Sequence, residues 1–543
     1  MNKLFVCLIA LVTGTLTLCA QPSFEDLSFE EKLGQTLVAF VDVDSAELVR
    51  PAIESGKLGG VLIQWGNYSL EETEKLITKL QGWAANSPHK IPLLIAIDYE
   101  SGTVHTPITL GFDYLPTNMM ISAADDEESA ASIAYLSGLE LKRAGIHMNF
   151  SPVLDVNSNP HNPIIGVRSF GSDPNKVTRM GGALIHGFQA AGILSVVKHF
   201  PGHGDTAQDS HYNVPVVKAT YEDLQRIHLA PFNQAVKQGV DGVMTGHVLY
   251  PALDNKNIAT FSKPILQDLL RHKMGFNGLL VTDSLDMKSA TSFCTIAECA
   301  VRSFASGEEM ILLGRYIKPL NLFNQILAGV NRDKLAPQVE SSARKIFDIK
   351  KVMGLLEHKT VYIPSSQRAY LTELAKISDK AVTLVRDRKR QLPFTANPAA
   401  SRKPIVCAVF FAPPRFTDQL MNFSQPFLEK GWEIRTYNAA LTPRQKDSER
   451  AAACAKGADL LILTSLQWAD KTNINQKNTI SGFIRENKNV VFISTMSPYD
   501  IPSYPQADIV LATYGLNKYV LKTAANIILG NLKPQGKLPV DLK

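Results

Sequence analysis

A chain of 543 residues is too long for one ordinary domain, and its 45% hydrophobic and 20% charged content is that of a soluble globular protein. A net charge of +5 is small at this length, and no stretch interleaves Lys and Arg with aromatics, which sets nucleic-acid binding aside. No segment after the N-terminus is long and apolar enough to span a membrane.

The N-terminus reads as an export signal. Lys3 supplies the positive region, Leu4 to Leu18 the apolar run, and Ala20 the small residue before a cut at Gln21, so residues 1–20 are expected to be removed. The mature chain is then periplasmic or extracellular. Cys19 raises a lipid anchor, but Leu18 is bulky where a lipoprotein signal has Gly, Ala or Ser, so simple cleavage is favoured. Cleavage also removes Cys7. Cys294, Cys299, Cys407 and Cys454 remain without a CxxC pair; their spacing demands no disulfide, and four buried thiols are expected.

Eight apolar runs follow: Thr36–Val41, Gly59–Gln64, Ile91–Asp98, Ile146–Val153, Ile193–Phe200, Gly239–His247, Asn277–Ser284 and Glu308–Gly314. Most show little polar alternation, as parallel strands covered on both faces do. Helix-like segments lie between them, including Ser129–Ala144, Val177–Ala191, Tyr221–Gln238 and Ile265–Met274. Eight strand–helix units predict an α/β fold, a (β/α)8 TIM-type barrel over residues 21–356; a doubly wound open sheet is the alternative. Asp98, Lys198, His199, His247 and Asp283 fall at the C-terminal ends of their strands, the face on which such barrels carry their chemistry.

Leu335–Leu356 reads as a helix closing the barrel, and residues 357–367, with Pro364, as a linker. Residues 368–543 then form a smaller α/β sandwich domain. Its helix is expected at Ala369–Lys380, and its mostly parallel strands at Ala381–Val385, Ile405–Phe411, Asp459–Thr464, Val490–Thr495 and Asp508–Ala512. It has no glycine-rich phosphate loop.

Two stretches carry chemistry. The first, KHFPGHGDT at 198–206 with Asp209-Ser210-His211, packs titratable groups into one loop after a strand. A metal site is disfavoured there, because no His pair stands at helical spacing and the ligands would sit on mobile backbone. The second, VTDSLDM at 281–287, sets Asp283 at a strand end, with Asp286 as a cap or support. Glycoside cleavage needs a nucleophile that stays ionised and a proton donor, and a histidine held by an acid can be the donor.

The chain resembles glycoside hydrolase family 3, in its β-N-acetylglucosaminidase branch, over nearly the whole mature length. The resemblance rests on KHFPGHGDTAQDSH at 198–211, NFSPVLDVNSNPHNPIIGVRSFG at 149–171, IATFS at 258–262, VTDSLDM at 281–287 and GNLKPQGKLPVDL at 530–542. It implies exo-acting, retaining hydrolysis of terminal β-linked N-acetylglucosamine without cofactor or metal. It assigns the nucleophile to Asp283, the acid/base to His211 held by Asp209, and sugar contacts to Asp98, Arg168, Lys198 and His199. His203 and Asp205 either take part in the site or only shape the loop. The implied substrate is a glycan, with peptidoglycan fragments ahead of chitin or N-glycan pieces, and a monomer is favoured.

One stretch departs from the pattern. The family reads Asp-Gln-Glu-Gly-Gly-Arg-Val after the third strand, whereas this chain reads Asp98-Tyr99-Glu100-Ser101-Gly102-Thr103-Val104, with Thr106 where a further Arg often stands. Losing cations at this edge bears on which hydroxyls or leaving groups are read. Two other readings follow. A histidine acid/base does not repel phosphate, so phosphorolysis competes with hydrolysis; and the changed loop allows a non-catalytic glycan-binding barrel.

Overall fold

The computed structural model describes residues 22–542 except 65, 67, 101–111, 113–114, 358–362, 396–401 and 468–472. The signal-like residues 1–20, Thr103 and Thr106 lie outside the described residues. The first sheet has eight parallel strands: β1 (Leu37–Val41), β2 (Gly60–Ile63), β3 (Leu94–Ile97), β4 (Met148–Asn149), β5 (Leu194–Phe200), β6 (Gly242–Thr245), β9 (Leu279–Thr282) and β10 (Ile311–Leu312). They run in the order β10-β1-β2-β3-β4-β5-β6-β9. A parallel bridge from Val281 to Met310 brings the two outer strands together, so the sheet closes as the expected (β/α)8 barrel. Between β6 and β9 lies a hairpin, β7 (Leu249–Tyr250) and β8 (Asp254–Ile258), which the apolar pattern did not reveal because Asp254–Asn257 is polar.

Both faces of most barrel strands are apolar. Val38 and Phe40 of β1 point into the lumen with Leu62, Leu94, Met148, Val196, Met244 and Leu279; Leu37, Ala39 and Val41 point out to the helices. This two-sided burial, about 1.5–3 kcal/mol per large apolar side chain, is why the strands read as continuous apolar runs. The observed strands are shorter than those runs. In Ile146–Val153, Ser151–Pro152 interrupts the ladder, since proline has no N–H to donate, and pairing resumes only as a bridge from Val153 to Lys198. The helix Ala336–Val352 closes the floor, with Ile346 in the lumen cluster.

The second domain is a six-stranded sheet: β11 (Thr383–Asp387), β12 (Ile405–Phe411), β13 (Glu433–Ala439), β14 (Leu460–Ser465), β15 (Val490–Ser494) and β16 (Ile509–Ala512), in the order β11-β16-β15-β14-β12-β13. All pairs are parallel except β11 with β16. β13 escaped the sequence reading because it is an edge strand of mixed polarity, half-buried along most of its length. The helix Gln367–Ala381 packs against the barrel helices Asn118–Ala124 and Glu127–Arg143. Thr117 Oγ1 donates to Tyr514 O at 2.7 Å, and Ser172 N donates to Pro539 O at 3.1 Å. Gly171 permits that last approach: its φ is +140°, and a Cβ there would stand 2.1 Å from Pro539 O.

The expectation of four buried thiols is corrected. Cys294 pairs with Cys299, and Cys407 with Cys454, with Cα separations of 5.5 and 5.8 Å. The first pair is joined by a tight bend between helices Lys288–Thr291 and Ile296–Ser306; the second links β12 to helix Gln445–Ala455, which packs on it. Neither proximity is visible in the spacing.

Candidate active site

The residues singled out from sequence meet at the C-terminal mouth of the barrel. Asp98 follows β3, and Lys198 and His199 end β5. Lys198 Nζ lies 2.7 Å from Asp98 Oδ1 and 2.8 Å from Glu100 Oε1. Arg168, in the turn Gly166–Arg168, reaches the same Glu100 by Nε at 2.7 Å and Nη2 at 3.0 Å. Two cations and two carboxylates thus form a balanced, hydrogen-bonded quartet, which offsets the cost of burial. Asp98 keeps 26% of its side chain exposed and Glu100 only 1%, so Asp98 faces the cavity and Glu100 holds the two cations from behind. Burial works to lower the Lys198 pKa, but Asp98 and Glu100 hold it above the usual range, so the ammonium stays charged. The sequence motif by itself gives Glu100 no role; its position two residues after Asp98 is the signal that could have found it.

A second carboxylate that sequence reading left unassigned, Asp155, organises the loop after β5. It is fully buried. Its Oδ2 takes His199 Nδ1 at 2.7 Å, and its Oδ1 takes the His203 backbone N–H at 2.6 Å. Burial works to raise its pKa, but His199 and His203 hold it low and therefore ionised. His199 Nε2 then faces Arg168 Nη2 at 3.4 Å. His203 is itself buried, with its pKa pushed down to about 4 by desolvation and then by His199, so it is neutral at pH 7. Its Nε2 lies 3.1 Å from Ser210 Oγ and its Nδ1 2.8 Å from Thr206 Oγ1. His203 and Asp205 therefore do shape the loop: Asp205 Oδ1 accepts from Ser158 Oγ at 2.9 Å.

Asp209 and His211 form a pair, with Nδ1 to Oδ1 at 2.8 Å and the His211 backbone N–H on the same oxygen at 2.9 Å. Burial would raise the Asp209 pKa, but the two bonds from His211 bring it below the usual carboxylate range. A fixed carboxylate on Nδ1 leaves His211 Nε2 as the nitrogen turned to other partners.

Asp283 follows β9 and is half-buried. Ser284 N–H donates to its Oδ1 at 2.7 Å. Desolvation works to raise its pKa, yet His247, His199 and that N–H together hold it below the usual range, so it is a carboxylate at neutral pH. His247 packs behind it: Nε2 donates to Ser284 O at 3.0 Å and Nδ1 meets Thr260 Oγ1 at 2.7 Å. Deeper still, Thr245 Oγ1 donates to Glu308 Oε1 at 2.6 Å. Asp286 accepts from Ser284 Oγ at 2.6 Å and Arg315 N at 2.9 Å, which is the supporting role expected of it.

All seven expected site residues except Asp209 line one cavity of about 200 Å³, with Glu100, His203, Ser210, Asp286 and Arg315 among its other walls. That is smaller than the roughly 300–1,000 Å³ of a drug-sized site, and suits one sugar ring rather than a long cleft. Phe40, Leu62, Met244, Met287 and Leu312 supply an apolar side. Among the described residues no three His, Cys, Asp or Glu side chains gather as a metal site.

Residues 28–349, well over half of the chain, match the model of the glycosyl hydrolase family 3 N-terminal domain. The chain belongs to glycosyl hydrolase family 3. As a family 3 protein it is similar to a beta-hexosaminidase A of Pseudoalteromonas piscicida, 29% identical over 89% of this chain and 89% of that one. A beta-hexosaminidase of Nitrosomonas eutropha is 33% identical over 52% of this chain and 80% of its own. Among solved structures, a glycoside hydrolase family 3 beta-N-acetylglucosaminidase from Paenibacillus sp. str. FPU-7 matches with a TM-score of 0.84 at 29% identity, covering 95% of this chain and 99% of that one. This family 3 chain is a glycoside hydrolase.

Proposed function

We propose that the protein is an exo-acting, retaining β-N-acetylglucosaminidase that removes terminal β-linked N-acetylglucosamine from glycans, with peptidoglycan fragments as its natural substrate. The observation that carries this reading is the meeting, in one ring-sized cavity, of an ionised Asp283 and a carboxylate-held His211. Asp283 attacks the anomeric carbon while His211 gives its proton to the departing oxygen. A water then attacks the glycosyl ester, giving its proton to His211 as Asp283 leaves. Asp98 accepts from sugar hydroxyls; Arg168, Lys198 and His199 hold the ring through the quartet and Asp155. The similarity to the beta-hexosaminidase A of Pseudoalteromonas piscicida and the beta-N-acetylglucosaminidase of Paenibacillus supports the choice of sugar. The two disulfides suit an oxidising compartment and support an exported enzyme, cut after residue 20 and free of a lipid on Cys19.

The test is release of nitrophenol from a β-N-acetylglucosaminide by the wild type, Asp283→Asn and His211→Ala. Turnover should fall by about 10³-fold or more without the nucleophile and about 10²–10⁴-fold without the acid/base. Turnover unchanged in either variant refutes the assignment. Adding inorganic phosphate to the same assay asks whether phosphate replaces water as acceptor. Acceleration with formation of a sugar 1-phosphate would make the enzyme a phosphorylase, a change that histidine in place of a carboxylate permits.

A further inference from the structure

The second domain meets the barrel beside the catalytic loops. Tyr499 lies in the turn Pro498–Ser503 after β15, and its hydroxyl accepts from Asn157 Nδ2 at 2.9 Å. Asn157 is buried, and its Oδ1 has no hydrogen-bond partner, so the tyrosine is what anchors this amide. Asn157 opens a strap, residues 157–162, that lies along the loop 203–206. Ser158 Oγ donates to Asp205 Oδ1 at 2.9 Å, Asn159 Nδ2 to Thr206 O at 3.2 Å, and Asn162 Nδ2 to His203 O at 2.9 Å. The two segments also touch backbone to backbone, Asn159 N donating to Gly204 O at 3.3 Å, and a Cβ on Gly204 would stand 1.8 Å from the carbonyl oxygen of Val156, the residue before the strap, so only glycine allows the approach. From there His203 reaches Ser210, the residue between Asp209 and His211, at 3.1 Å.

We infer that the second domain braces the acid/base loop, with Tyr499 as a positioning residue. Tyr499 fixes the strap, the strap fixes residues 203–206, and His203 with Ser210 passes that constraint to the Asp209–His211 pair. This rests on the reading of His211 as acid/base. A proton donor must stand at hydrogen-bond distance from the leaving oxygen, and a loop freed at its root holds it there for less of the time. The consequence is selective. A sugar leaving group needs the proton, whereas dinitrophenolate departs without it, and kcat/KM reports only the glycosyl-transfer half of the reaction.

The experiment compares kcat/KM of wild type, Tyr499→Phe and His211→Ala on a β-linked N-acetylglucosamine disaccharide and on the dinitrophenyl glycoside. Loss of the hydroxyl from its buried partner should lower kcat/KM on the disaccharide about fivefold to tenfold, and leave the dinitrophenyl glycoside within about twofold. His211→Ala should show the same selectivity in larger measure. Hydrogen exchange should quicken at residues 203–213 of Tyr499→Phe and stay unchanged in the barrel strands. An equal loss on both substrates, or no loss, overturns the inference while leaving the His211 assignment intact. If His211→Ala itself shows no selectivity, the acid/base reading falls and the inference falls with it.

Discussion

Glu308 is fully buried, with its Oε1 on Thr245 at the end of β6 and its Oε2 without a hydrogen-bond partner. Burial pushes its pKa from an ordinary 4.5 up to about 8, so the folded protein holds it protonated at neutral pH. The unfolded chain ionises it. Folding therefore takes up a proton, and the stability that this site contributes is full below pH 4.5 and is lost as pH rises through about 8. At about 1.36 kcal/mol per unit, the loss between pH 5 and pH 8 amounts to about 3 kcal/mol. Glu308→Gln removes the titration while its amide oxygen still accepts from Thr245. It also sets an N–H₂ where Oε2 lacks a partner, at a cost of about 1–3 kcal/mol that is the same at every pH. The decisive quantity is thus the pH dependence of the difference between variant and wild type, in which every other titrating group cancels. Urea unfolding of both proteins at pH 5, 6, 7 and 8 measures it. The variant should gain on the wild type by about 3 kcal/mol across that range; a difference that does not change with pH would falsify the account of Glu308 as a neutral buried acid.

Three further outcomes are expected. Glu100→Gln leaves Arg168 and Lys198 with Asp98 as the remaining carboxylate of the quartet, which should cost about 3–5 kcal/mol in thermal unfolding and lower kcat/KM, because Asp98 is drawn toward the excess cations. Gly171→Ala drives a Cβ into Pro539 O and should expose the C-terminal tail to limited proteolysis, with a stability loss of about 1–3 kcal/mol. The disulfides should differ in weight. Cys407–Cys454 spans 47 positions and Cys294–Cys299 only five. Replacing each pair by alanine should cost about 4 and about 2 kcal/mol respectively in urea titration, by loop-closure entropy alone.

Much of this protein was legible as sequence because its periods are strict. Strands buried on both faces leave unbroken apolar runs, so eight barrel strands and their order could be read, and a polar residue at the C-terminal end of such a run, such as Asp98 or Asp283, is bound for the mouth of the barrel. The pairing of Asp209 with His211 was implied by the family resemblance, and the two, only two residues apart, meet within one turn of chain. What sequence could not decide was everything set by contacts distant along the chain. The role of Glu100 exists only because Arg168 and Lys198 arrive on either side of it, 68 and 98 positions later. Asp155 became the anchor of His199 and His203 only when β4 and β5 lay side by side. The disulfide partner of Cys407, the edge strand β13 and the bond from Tyr499 to Asn157 were likewise products of packing. Periodicity reports which face of an element is buried; which side chains then share a charge, a proton or a sulfur bond is fixed only when the elements close on one another.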